Sequence, residues 1–295
     1  MPEPESALRF LAQQVAPELD VARWASELVD WLLDNLAFVF SFLRTVIGTL
    51  VGWVETALAG PPALVIIAVF TLIAFAAARW GFALFTLLAF LLIDAMGHFE
   101  ATMLSLALVL VAALLAVALG IPLGILAARH QTASTVIKPM LDFMQTMPAF
   151  VYLLIAVIFF RIGVVPGVVA SLVFSMPPAV RLTELGIRHV DHEVVEAAEA
   201  FGARPRTVLT GVQLPLAMPS IMAGVNQVIM LALSMVVIAG LAGAGGLGGI
   251  IVEGVQRLQI GLGFEGGLAV VILAIFLDRV TAGFGSRDSA GFGTA

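Results

Sequence analysis

The sequence has no cysteine in its 295 residues. Disulfides, thiolate catalysis and cysteine-ligated metal centres are thereby excluded. Charge is scarce: Asp, Glu, Lys and Arg make up 12% of the chain, about half of what soluble domains carry. Lysine occurs once, at Lys138, against 13 arginines, and tyrosine once, at Tyr152. No basic cluster resembles a nucleic-acid patch, so no nucleic-acid partner is expected. His98, His130, His189 and His192 are the four histidines. His189 and His192 have a ligand-like spacing, but no acidic or histidine set surrounds them, and no metal site is expected. Nothing points to an enzyme: no HExxH, nucleophile–base pair or paired carboxylate shares a segment. The phosphate-loop pattern GxxxxGK is missing, so the chain does not hydrolyse ATP by itself. The N-terminus MPEPESALRF lacks the basic lead of a secretory signal, so insertion would rely on the spans themselves.

What the chain has instead is apolar length. Hydrophobic residues account for 61%, and 103–128 and 217–252 are free of charge. Runs of about 18 or more apolar residues read as transmembrane helices. Seven spans are predicted, at 62–78, 81–97, 103–127, 143–161, 165–185, 217–240 and 265–282. Two connections are longer, a polar one at 186–216 and a glycine-rich one at 241–264. Basic residues collect in cytoplasmic loops. With the first span starting outside, Arg79, Arg129, Lys138, Arg181, Arg188, Arg204, Arg206, Arg279 and Arg287 fall inside, and only Arg161 and Arg257 outside. This orientation puts 186–216 and the C-terminus in the cytoplasm. Charges are expected only near span ends, unlike in ion-driven carriers.

Segment 32–58 is predicted as an amphipathic helix lying in the membrane interface, with a further span as the alternative. Asp34, Ser41, Thr45, Gly48, Gly52 and Glu55 recur along one stripe, and Arg44 would sit near mid-span, where charge is expensive. Residues 1–31 read as a solvent-exposed lead and 284–295 as a disordered tail.

The polar stretch 190–216 is the most informative. Asp191 is a fitting N-cap, and Glu196, Ala197, Ala198, Glu199 and Ala200 favour helix. Ala197 and Ala198 leave a flat face that another protein can approach. Gly202 ends the helix, since glycine enters the left-handed cap cheaply. A second short helix starts at Pro205, and Leu214–Pro215 is expected to close the loop before the next span.

The pattern Glu196-Ala197-Ala198, three residues, Gly202, nine residues, Val212-Gln213-Leu214-Pro215 resembles the signature loop of bacterial ATP-binding-cassette importer permeases. Segments 142–153, 177–188, 212–248 and 263–279 are similar to permeases of the glycine betaine/proline betaine importers. Ile155 and Arg161 depart from that pattern, where proline and a small residue would stand.

The resemblance implies an all-α, polytopic type I importer permease fold in the bacterial cytoplasmic membrane. It implies a transmembrane domain over 62–283 and a coupling loop over 190–215. Glu196, Ala197, Ala198, Gly202, Val212, Leu214 and Pro215 would dock on the ATPase. The implied partners are two copies of a separate ATPase, which would bind the ATP and Mg, a separate extracytoplasmic betaine-binding protein, and a second permease. This chain itself would need no cofactor.

A quaternary ammonium has no N–H to donate, so aromatic faces are its usual partners. Phe143, Phe150 and Tyr152 of one predicted span, and Asn226, Gln227, Met230 and Ser234 of another, are candidates for the solute pathway. The same polar residues would equally serve helix packing. Gly243, Gly245, Gly246 and Gly248 fit either a gate hinge or close helix packing. Choline, carnitine or an amino acid are alternative solutes for such a permease, and an ATP-independent carrier or channel is the alternative class.

Overall fold

The computed structural model describes residues 20–290, and every regular element among them is helical. The chain divides near Leu43 into an N-terminal unit and the main unit. The first helix, α1 (Val21–Asn35), is capped by Asp20, whose carboxylate accepts from the Arg23 N–H at 3.0 Å. Arg23, Glu27, Asp30 and Asp34 share one stripe of it, and Arg23 pairs with Glu27 at 2.8 Å. Trp24, Leu28 and Trp31 fall beside that stripe and are each more than half exposed. An apolar face left open beside a charged one suits the membrane interface.

The single amphipathic helix expected over 32–58 is therefore relocated. The chain breaks at Leu36, the amphipathic part lies earlier, and α2 (Ala37–Ala59) has the length and hydropathy of a span. Ser41 and Thr56 of α2 carry little penalty because their hydroxyls return to their own helix, whereas Arg44 and Glu55 keep their charge cost in a span. Ser41 donates to the Phe38 carbonyl at 2.9 Å and Thr56 to that of Gly52 at 2.7 Å.

The helical stretch α3 (Ala63–Ala95) is a hairpin. Ala78 and Arg79 leave helical geometry, Arg79 with φ 69°. Phe70 and Phe90, on either side, have ring centroids 5.1 Å apart, whereas a straight helix would separate them by about 30 Å. The arms coincide with the spans expected at 62–78 and 81–97, and each is only about 22–24 Å long. Trp80, 71% exposed, stands at the turn.

The centre of the main unit is built from α4 (Phe99–Arg129), α7 (Val164–Arg188) and α10 (Leu214–Ala239). These helices meet through small residues, which lets backbones approach where lipid supplies no hydrophobic drive. A Cβ on Gly124 would lie 2.6 Å from the Val180 carbonyl oxygen and from Thr183 Cβ, and one on Gly186 2.8 Å from Ser220 Cβ.

Between α4 and α7 the chain forms α5 (Gln131–Thr146) and α6 (Ala149–Phe160), which meet at 98°. The span expected over 143–161 is thus not one helix. Pro148 disfavours helical geometry in the residue before it, and Met147 is extended at φ −71°, ψ 134°. At 12 residues, or about 18 Å, α6 is too short to cross a bilayer alone.

The glycine-rich connection 241–264 is not a plain loop either: it holds α11 (Gly246–Gln256). The last helix, α12 (Ile260–Ala290), runs through 284–290, which were expected to be disordered tail. No proline interrupts it, so an established helix propagates at little cost. Residues 1–19 of the expected lead and 291–295 of the expected tail lie outside the described residues. Among the described residues, six helical stretches are long and apolar enough to cross a membrane, with the hairpin α3 counted once, and the bent pair brings the total up to seven. The chain is a multi-pass membrane protein.

Candidate functional site

At its arginine-rich end α7 leads into α8 (His192–Ala200). Asp191 caps α8 by accepting from the Glu193 N–H at 3.0 Å. None of the residues of α8 is buried. Glu196 reaches only His192, at 3.1 Å, and both are largely exposed. Ala197 and Ala198 sit between them and the C-cap. There the Gly202 N–H donates to the Glu199 carbonyl at 2.8 Å and the Ala203 N–H to that of Ala198 at 3.1 Å. Gly202 takes φ +81° with open space around its α-carbon. Glycine is needed there for backbone geometry and not for room. Phe201, beside it, is 93% exposed, the most exposed large apolar side chain among the described residues. Its isolation between alanines, a glutamate and a glycine is the signal that marks it in the sequence.

Beyond Gly202 the chain does not form a loop closed by Leu214–Pro215, as expected. The helical turn α9 (Pro205–Val208), a wide π-turn (Leu209–Gln213) and α10 form one continuous run. Pro215 has no N–H for the ordinary backbone bond, and the wide turn takes up the break. Val212 and Pro215 are half-buried. Leu214 packs on a cluster of Leu209, Ile187, Ala217 and Ile221. An open helix, α8, is thereby mounted on a buried apolar base.

Behind this base lies a group of charges that sequence reasoning used only for orientation. Glu184 is 4% exposed. It accepts from Ser134 Oγ at 2.7 Å and pairs with Arg188 at 3.0 Å and Lys138 at 3.3 Å. Arg188 also donates to the Ala127 carbonyl at 2.9 Å, and Arg181 pairs with Asp142. The four-residue spacing of Glu184 and Arg188 is the one hint visible in sequence.

The pathway candidates separate into groups. Tyr152 is buried; its hydroxyl donates to the Met144 carbonyl across the bend, and its ring packs edge-on against Phe174. Phe143 and Phe150 are exposed on opposite sides of the bend. Phe150 lines a cleft of about 680 Å³ with Leu153, Leu241, Gly243, Val252 and Gln256. Gln227, Met230 and Ser234 follow one stripe of α10, with Gln227 and Ser234 exposed. Asn226 turns toward α12, donating to Asp278 at 3.0 Å and accepting from Thr281 at 2.7 Å. Asp278, expected near a span end, lies well inside α12 because that helix is longer than its apolar run.

The glycines serve both geometry and packing. Gly243, Gly245 and Gly246 have φ of 71°, 76° and 62°. A Cβ on Gly246 would lie 2.5 Å from Ser105 Oγ, and one on Gly248 2.6 Å from the Val237 carbonyl. Among the described residues no His, Asp or Glu group converges as a metal site would.

The family model of the binding-protein-dependent transport system inner membrane component matches residues 120–287. The chain is 48% identical over 266 residues to the glycine betaine/proline betaine transport system permease protein ProW of Escherichia coli K12, covering 90% of this chain and 75% of that one. It is 46% identical to the glycine betaine transport system permease protein OpuAB of Bacillus subtilis 168, covering 90% and 94%. Among solved structures, the inward-facing MetNI methionine ABC transporter matches with a TM-score of 0.57 at 21% identity, over 62% of this chain and 92% of that one. This likeness shows a shared fold. An exposed helix on an apolar base, a glycine-packed bundle, the family match and two relatives at nearly half identity agree: the chain belongs to the binding-protein-dependent transport system inner membrane components.

Proposed function

We propose that this chain is the membrane-spanning permease of an ATP-driven importer of glycine betaine-type compatible solutes. The carrying observation is α8, a nine-residue helix with no buried side chain on a buried base. Such a helix is marginal alone, and a partner groove is what would stabilise it. The partner is a separate ATPase, two copies per permease homodimer, which binds ATP and Mg. Cargo arrives from an extracytoplasmic binding protein that is a separate chain. The arginine-rich end, with α8 and the C-terminus, faces the cytoplasm of a bacterial cell, as the charge asymmetry favours.

ATP draws the two ATPases together, carries the paired α8 helices with them and opens the spans outward. Hydrolysis reverses the change. The cleft beside Phe150 supplies an aromatic face and Gln256, which suits a quaternary ammonium with a carboxylate. Gln227, exposed on α10, would be costly against lipid; a second permease or a wet pathway covers it in this reading, together with Ser234 on the same stripe, whose hydroxyl donates to the Met230 carbonyl. Gly243 and Gly245, at positive φ beside the cleft, are the hinge of its outer gate.

The test is reconstitution with the ATPase and binding protein in vesicles, with ATP inside or outside. Glycine betaine uptake that needs ATP on the ATPase side is the expected result. Competition by choline, carnitine and proline ranks the cargo. Uptake by the permease alone, indifferent to ATP, would refute the importer reading.

A further inference from the structure

The first arm of the elbow, α5, meets α7 through a small apolar contact and one buried carboxylate, while α6 packs on α7 by its own buried side chains, Tyr152 against Phe174 among them. Only Ser134, Leu141 and Met144 of α5 are buried. Two of these, Leu141 and Met144, pack with Val180 of α7. The third, Ser134, donates to Glu184 at 2.7 Å. Lys138, one turn on, brings its ammonium to the same carboxylate oxygen at 3.3 Å, and Arg188 comes from α7 itself at 3.0 Å. One turn further, Arg181 pairs with Asp142 along the same two helices.

A carboxylate this deeply buried is stable only while its counter-charges stay in place. Pulling α5 away removes Ser134 and Lys138 together and leaves Arg188 alone. Sliding by one turn mismatches both sets of partners. The arrangement therefore resists relative motion of α5 and α7 more sharply than apolar contact would. Continuity does the rest. At one end, α7 passes from Glu184 to Asp191, the cap of α8. At the other, α5 ends at the Met147–Pro148 bend, whose far arm bears Phe150.

We propose that Glu184 is a positioning residue for transport: it binds α5 and α7 into one lever, which carries force applied at α8 to the bend and to the cleft beside Phe150. This rests on the importer reading given above.

The experiment uses the reconstituted complex and reads solute moved per ATP hydrolysed. Glu184→Gln keeps the side-chain size and can still accept from Ser134, but it loses the charge. The expected result is normal assembly with the ATPase, unchanged basal hydrolysis and a fall of about tenfold or more in solute per ATP, within the usual span of coupling effects. The natural chain has no thiol, so Asp142→Cys with Arg181→Cys can be joined selectively by a short bifunctional thiol reagent. In the Glu184→Gln background this tether is expected to restore most of the lost solute per ATP. A role in binding solute would gain nothing from it, and a role in stability alone would show as a lower melting temperature of Glu184→Gln with normal solute per ATP. Unchanged coupling in Glu184→Gln overturns the proposal, and so does a tethered variant that stays uncoupled. Should Glu184→Gln fail to assemble, Lys138→Gln removes one partner at a half-exposed position and carries the same test with a smaller expected loss. A wild-type complex without ATP-dependent uptake overturns the importer reading and the lever with it; wild-type uptake with an uncoupled tethered variant overturns the lever alone.

Discussion

Gly202 offers a clean separation of backbone geometry from packing. At φ +81° it sits in the left-handed region, and a Cβ there would touch nothing within 4 Å. Alanine at this position therefore adds strain without a clash. The penalty for an L side chain in that region is about 1–2 kcal/mol, roughly a 5- to 30-fold change in equilibrium. Asparagine tolerates the geometry better, and valine, branched at Cβ, tolerates it worse. The nine residues of α8 bury no side chain, so the strain falls on the local helix and not on the bundle. A short exposed helix is marginal, and the loss passes almost fully into its population. The expected order of ATPase affinity is Gly, Asn, Ala, Val, with Gly202→Ala weaker by roughly 5- to 30-fold. Purified permease should melt at an unchanged temperature throughout. Affinity is measured by titrating labelled ATPase onto permease in nanodiscs. Wild-type affinity in Gly202→Val would refute the argument, as would a drop in permease melting temperature that tracks the series.

Other substitutions address other parts of the structure. Phe201→Ala removes a 93% exposed ring; ATPase binding should weaken by about 2 kcal/mol, the scale of an interface hot spot, with no loss of permease stability in a thermal-shift assay. Gly124→Leu forces a side chain to within 2.6 Å of the Val180 carbonyl, so the α4–α7 contact should open at a cost of about 3 kcal/mol or more, seen as loss of monodisperse protein on size exclusion. Tyr152→Phe deletes the hydrogen bond to Met144 and should lower stability by about 1 kcal/mol, while the KM for solute stays within twofold; a large rise in KM would place Tyr152 in the pathway. Asn226→Leu leaves the Asp278 carboxylate without its donor, an unmet group costing about 1–3 kcal/mol, measured as a lower unfolding temperature.

The parts legible in sequence were those governed by neighbours along the chain. Asp191, the alanine run and Gly202 specify α8 by capping and propensity alone, and the structure builds that helix with those caps. The arms of α3 were legible from apolar runs broken at Arg79. The bend at Met147–Pro148 was hidden because hydropathy continues across it; the proline, not the apolar run, sets the geometry. The true extents of α1 and α12 were missed for a related reason. Composition marks where apolar residues stop, whereas a helix stops where its backbone does. For Glu184 only the four-residue spacing to Arg188 was local; its other partners lie 46 and 50 positions away in sequence, on α5. For Phe201 the sequence offered one sign, a lone large apolar residue among alanines, a glutamate and a glycine, and its exposure gives that sign its meaning.

The hairpin α3 has a consequence for the surrounding lipid. Its arms, about 22–24 Å each, are shorter than a hydrocarbon layer of about 30 Å. Trp80, exposed at the turn beside Arg79, is the residue type that anchors a helix end at headgroup level. Hydrophobic mismatch of this size is relieved by local thinning of the bilayer or by headgroups drawn down toward the arginine. Acyl-chain length is thereby expected to act on this flank: shorter lipids should relax the deformation around α3 and longer ones deepen it.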